Sequence, residues 1–190
     1  MNSLSAATSV GWRKPVWIGL LAAFSVVFAL GFACATPLAA FAAVAALTMT
    51  RRDALLLVGL VWLAGQCVGF GLLHYPWTAD SLAWGAGFGV IGLLSVFTAE
   101  FGAKRFTGGN RILSSIAAFL AAFAAYEGLL FVASISFQSG IENYTAATVG
   151  RIFAINAIAF IGLVAVNKLG ASAGLAPARS RRLAASGRRA

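Results

Sequence analysis

Charge is scarce in this sequence, and acid scarcest: only 10% of the 190 residues are charged, with five acidic side chains against 14 lysines and arginines. Soluble domains carry about a quarter charged residues, so an ordinary water-facing surface is excluded. Histidine occurs once, which excludes paired-histidine metal motifs. There is no Walker A loop, no G-x-S-x-G turn and no acidic pair suited to hydrolysis. An intramembrane enzyme and an intrinsic cofactor are therefore not expected.

What fills the space is hydrocarbon. Hydrophobic residues make up 61% of the chain, and the mean hydropathy is +0.90. A bilayer core of about 30 Å needs roughly 20 apolar residues per helix, and several such runs occur between short polar breaks. The runs are continuous and lack the alternation of a membrane barrel, so the expected fold class is an all-α integral membrane protein. Helices are expected over 16–34, 37–49, 54–74, 81–101, 112–137 and 146–167, giving six transmembrane helices with both termini cytoplasmic. The second is short and alanine-rich, with Ala39 and Ala43, and Ala42 and Ala46, at small-x-x-x-small spacing for close packing.

The net charge of +9 and pI near 10.9 would point to nucleic acid in a soluble protein, so the placement of the charges decides. Arg13 and Lys14, Arg51 and Arg52, Lys104, Arg105 and Arg111, and Lys168 with the tail arginines fall in alternate breaks. They mark one face as cytoplasmic, and topology plus anionic lipid accounts for them without nucleic acid. A multi-pass protein of a bacterial cytoplasmic (inner) membrane follows. Three regions are expected: a cytoplasmic tail at 1–15, the transmembrane domain at 16–168, and a basic disordered cytoplasmic tail at 169–190. A cleavable signal is set aside, because the run 16–33 exceeds an h-region of about 7 to 15 residues.

With that topology the polar residues sort by depth, and nearly all lie in the outer half. Residues 62–84 hold one of two cysteines, the only histidine and three of five tryptophans. Cys34, Gln66, Cys67, Phe70, His74, Tyr75, Trp77, Asp80 and Trp84 approach the first two outer turns. Tyr126 and Glu127 lie in the outer half of the fifth helix, and Asn143, Tyr144 and Arg151 at the third outer turn. Such a collection reads as an outward cavity for a small molecule. An ionisable group in hydrocarbon costs at least about 2.5 kcal/mol and needs a partner, so Glu127 and Arg151 are expected either to pair or to meet a ligand or proton. Cys67 and His74, seven apart on one helical face, stand about 10 Å apart in rise, too far to share a metal ion. Either cysteine reads equally as a small buried hydrophobe, and a Cys34–Cys67 disulfide stays open.

Six short helices, both ends inside and a polar outer cavity resemble the S-components of energy-coupling-factor vitamin transporters. The segments Cys34-Ala35-Thr36-Pro37, Trp62–Phe70 (WLAGQCVGF) and Tyr75-Pro76-Trp77 are similar to the solitary cobalamin transporters of the BtuM type. The resemblance implies an uptake protein for cobalamin or another corrinoid. It also implies a cysteine that coordinates cobalt and assists removal of the upper ligand, Cys67 first and Cys34 second. Gln66, Asn143 and Arg151 would meet amides and phosphate, and Trp62, Phe70, Tyr75, Trp77, Trp84 and Tyr126 would cover the ring or its tail. S-components dock on an energising module through small residues of helix one, where this chain has Gly19-Leu-Leu-Ala-Ala23; solitary members act without one.

Two readings from other classes stand beside this. One is a non-transporting scaffold subunit of a larger complex, using its Gly and Ala faces as helix contacts. The other is a proton-coupled small-solute carrier that titrates Glu127. An enclosed cavity around Glu127 separates a ligand-handling protein from a scaffold.

Overall fold

The computed structural model describes residues 12–31, 36–105 and 110–174, and all regular structure among them is helical. In chain order these are α1 (Arg13–Gly31), α2 (Leu38–Thr48), α3 (Arg51–Gln66), α4 (Ala79–Arg105), α5 (Arg111–Phe137) and α6 (Ala146–Ser172). A π-helical turn, Cys67–Leu72, extends α3, and a 3₁₀ turn, Ile141–Asn143, precedes α6. Four of these, α3 with its π turn, α4, α5 and α6, are long and apolar enough to cross a membrane. Exposed Leu20, Phe24, Val90, Phe101, Ile116, Val132, Ile158 and Ile161 place hydrocarbon on the outer surface of the bundle. The protein is an α-helical membrane protein, since a water-soluble bundle would hide such side chains.

The helix starts follow from local chemistry. Thr50 accepts a hydrogen bond from the Asp53 amide, Thr78 from Ser81, Asn110 from Ile112 and Leu113, and Thr145 from Thr148. Each satisfies an amide that the first helical turn leaves without a partner. Helix α2 is different, because Pro37 precedes it and offers no side-chain cap. The Oδ1 of Asn156, from the middle of α6, accepts from the Ala40 amide at 3.2 Å instead.

Helix α2 is the centre of the molecule. Its 11 residues span only about 16 Å, too short for a bilayer core. Leu38 through Ala46 are all buried, and α2 packs against α3, α4, α5 and α6. The alanines let four helices approach one axis, as the small-residue spacing implies. Helix α1 lies outside, against α3, with Trp17 packed over Gly170 of α6. Gly170 is therefore helical and buried where a disordered tail is expected from 169 onward, and α6 runs through Ser172. Gly19 and Ala23 lie on the exposed face of α1.

Helices α3 and α4 meet by complementary size. A Cβ added at Gly92 would touch Val58, at Gly89 it would lie 2.7 Å from the Trp62 ring, and at Gly85 it would lie 2.6 Å from Gln66 Oε1. Side chains of α3 at near-fourfold spacing thus fill the notches of a glycine stripe on α4. Trp62 Nε1 also donates to the Gly85 carbonyl at 2.7 Å.

One end of the bundle holds the basic groups. Lys14 pairs with Asp53 at 2.6 Å, joining α1 to α3, and Arg51 forks onto Glu100 at 2.5 and 3.0 Å, joining α3 to α4. Arg13 donates to the Gly174 carbonyl at 3.2 Å. The opposite end is where α3 and α5 finish and α4 and α6 begin.

Candidate functional site

Two cavities open at the end opposite the basic turns. One, of about 430 Å³, lies among α2, α3, α5 and α6 and is lined by Thr36, Trp62, Gln66, Tyr75, Tyr126 and Asn156 with apolar neighbours. The other, of about 410 Å³, lies among α4, α5 and α6 and is lined by Asp80, Trp84, Glu127, Ser134, Glu142, Tyr144 and Thr148 with apolar neighbours. Phe88, Leu130 and Ile152 line both, so the cavities adjoin across a three-residue waist. Tyr126 and Glu127, consecutive on α5, face one cavity each.

Several local devices shape the first cavity. At Cys67 the helix widens to π geometry, with the Leu73 amide bonded to Val68 O at 2.9 Å and the Tyr75 amide to Gly69 O at 3.1 Å. The chain then turns at His74, whose φ of 54° is left-handed. This folds Tyr75 back over Gly69, where an added Cβ would lie 2.5 Å from the ring. Phe70 meets Tyr75 edge-on at 5.9 Å and Trp77 at 4.8 Å, so the aromatics of the turn form one cluster. Single π turns within α-helices concentrate at functional sites. Asn156 is 2% exposed; it anchors the start of α2 through Oδ1 and donates from Nδ2 to Ile152 O at 3.0 Å.

In the second cavity the decisive group is Glu127. It is 9% exposed, and its Oε1 is buried without a hydrogen-bond partner. Trp84 packs edge-on against Phe137 at 5.2 Å, and Gly140, with φ of 81°, brings the backbone under the Trp84 ring. The Tyr144 hydroxyl lies 3.5 Å from Glu127 O, and its ring stands edge-on to Phe131. Burial, then the Glu127 charge, pushes the Tyr144 hydroxyl up to about 12, so it stays a neutral donor at physiological pH.

The structure thus brings Gln66, Tyr75 and Tyr126 to one cavity and Trp84, Glu127 and Tyr144 to the other, with Phe70 edge-on to Tyr75 and in contact with Trp77. Cys67 is a free, exposed thiol outside both linings, as are exposed His74 and Arg151. The common helical face expected for Cys67 and His74 is absent, because the π turn changes the angle per residue and the helix stops before His74. The Glu127–Arg151 pair does not form, and among the described residues Arg151 makes no ion pair. Cys34 and the Asn143 side chain lie outside the described residues. Among the described residues no three His, Cys, Asp or Glu side chains are grouped to hold a metal ion.

Sequence reasoning missed Asn156, although an amide in the middle of a spanning helix is itself a signal, being costly without a partner. It also missed Ser134, Glu142 and Thr148 as companions of Glu127, which only the fold of the α5–α6 turn brings together. Compared with protein-family models, curated proteins and solved structures, the chain matches none.

Proposed function

We propose that the chain is an uptake protein of a bacterial cytoplasmic membrane that holds a vitamin-sized organic ligand in the adjoining cavities, which open outward. The observation that carries this is where the polar side chains go. In a chain that is 10% charged, Gln66, Asn156, Tyr126, Glu127, Asp80 and Glu142 converge on two voids at the end away from the basic turns. Each void has the volume of a site for a drug-sized molecule, about 300–1,000 Å³, with apolar walls and a few polar groups. A scaffold subunit has no use for such voids, and filled helix faces would serve it better.

The resemblance of residues 34–37, 62–70 and 75–77 to BtuM-type transporters supports cobalamin or another corrinoid as one candidate cargo, carried as an S-component carries its vitamin. A corrinoid is larger than either cavity, so it would sit across the waist and the aromatic turn. Cys67 lies between Gln66 and Val68, which both line the first cavity, and its sulfur would reach cobalt by rewinding of the π turn. A separate energising module would dock on the exposed Gly19 and Ala23 face of α1.

Native mass spectrometry and the absorption spectrum of the purified protein test the reading. A stoichiometric small molecule, released by Trp62→Ala or Gln66→Ala in correctly folded protein, is the expected result. Visible corrinoid bands that shift in Cys67→Ala identify cobalt–thiolate contact; a cargo without such bands removes the corrinoid and keeps uptake. A protein that carries nothing, and takes up nothing when reconstituted, overturns the proposal.

A further inference from the structure

We propose that the cavity among α4, α5 and α6 receives an organic cation, with Glu127 as its counter-charge. This rests on the uptake reading and names the chemical class of the cargo. The chain has five acidic residues. Two of them, Asp53 and Glu100, are bonded to Lys14 and Arg51 at the basic end. The other three, Asp80, Glu127 and Glu142, all line this one cavity, whose lining contains no Lys, Arg or His.

Acids on a rim need no ligand, but Glu127 is not on the rim. It is 9% exposed, lies on an apolar helix, lines the void, and keeps Oε1 without a hydrogen-bond partner. A carboxyl so placed is costly in a membrane, and such groups normally face a partner or a transported species. Among the described residues none supplies a countercharge: Arg151, the only basic residue in the first half of α6, is exposed and outside the lining.

The walls fit the same class. Trp84, Phe88 and Tyr144 present aromatic rings to the void, and a cation over such a ring is attracted by its negative face. Tyr144 remains neutral, and with its proton directed to Glu127 O its hydroxyl oxygen can accept from a cationic N–H of the cargo. Among the described residues the carboxylates are not grouped to hold a metal ion, and about 410 Å³ suits an ammonium or heteroaromatic cation with its substituents.

The test uses the full chain in lipid nanodiscs and a pair of probes equal in shape, choline and 3,3-dimethyl-1-butanol, titrated by tryptophan fluorescence. Choline is expected to bind about tenfold more tightly than its neutral isostere, with the difference abolished in Glu127→Gln and reduced in Glu142→Gln. Equal binding of the two probes, or discrimination that survives Glu127→Gln, overturns the inference. If Glu127→Gln does not fold, the exposed double variant Asp80→Asn/Glu142→Gln reads the same field, and unchanged choline affinity there overturns it as well. A neutral or anionic molecule that co-purifies and is retained by Glu127→Gln sinks the cation and leaves uptake standing. A chain that binds neither probe and carries no molecule sinks both.

Discussion

At the scale of single residues, the protein depends on polar side chains placed where water cannot replace their partners. Asn156 is the clearest case, since it takes the place of the missing cap at the start of α2 while also lining a cavity. Replacing an N-cap acceptor by alanine costs about 1 kcal/mol, so Asn156→Ala should lower the thermal stability of the detergent-solubilised protein. Asn156→Asp keeps the acceptor oxygen but buries an acid in a spanning helix and leaves Ile152 O without its donor, so it should lose more than Asn156→Ala; equal melting of wild type and Asn156→Ala would remove the cap argument. The residue was legible as an oddity, an amide in an apolar helix, but its role was not. Its partner amide, Ala40, is 116 positions away, and no local pattern carries that information. Glu127 was legible for the same reason, a charge in hydrocarbon, whereas its expected partner Arg151 was inferred from depth alone. Depth along a helix does not determine azimuth, and azimuth puts Arg151 outside the lining.

At the scale of elements, the α3–α4 seam explains how one wall of the site is held. Trp62 fits against Gly89 and donates to Gly85 O, and the same register places Gln66 at the cavity. Gly89→Ala would set a methyl 2.7 Å from a bulky ring that the hydrogen bond holds in place, and overpacking of this kind costs about 1–3 kcal/mol. Gly87→Ala, whose new Cβ would meet nothing closer than Phe137 at 3.8 Å, should be neutral. Thermal melts of the two variants check the contrast, and equal melting of both would mean that the glycine stripe does not set the seam. Gly85→Ala should be mild in stability yet weaken ligand binding, because only the end of the Gln66 side chain has to move. Gly85 and Gly89 announced close contact through their fourfold spacing, but the α3 residues that fill the notches depend on axial register, which composition does not encode. Helix positions were legible because apolar length and Thr or Asn caps are local signals. The π turn was not, since the same residues suit an α-helix and the wider turn goes with the packing of Tyr75 over Gly69, which no local pattern encodes.

At the scale of the whole molecule, the charge distribution predicts which way the cavities face. Arg13, Lys14, Arg51, Arg52, Lys104, Arg105, Arg111 and Lys168 cluster where α1, α3 and α5 begin and α4 and α6 end, and the cavities lie at the other end. The proposed uptake reading, with the positive-inside rule, expects that basic end in the cytoplasm and the cavities opening outward. Uptake requires this orientation, because a site built the other way round would load from the cytoplasm. Thiol labelling in intact cells decides it, using a Cys34→Ser/Cys67→Ser background that retains no native thiol. A membrane-impermeant maleimide should label Ala79→Cys, at the exposed start of α4, without permeabilisation. Arg52→Cys, exposed at the start of α3, should label only after the membrane is opened. The reverse pattern would turn the bundle over and make Glu127 a site for a molecule leaving the cell. Labelling of both in intact cells would mean that the chain does not span the bilayer as its four long apolar helices imply.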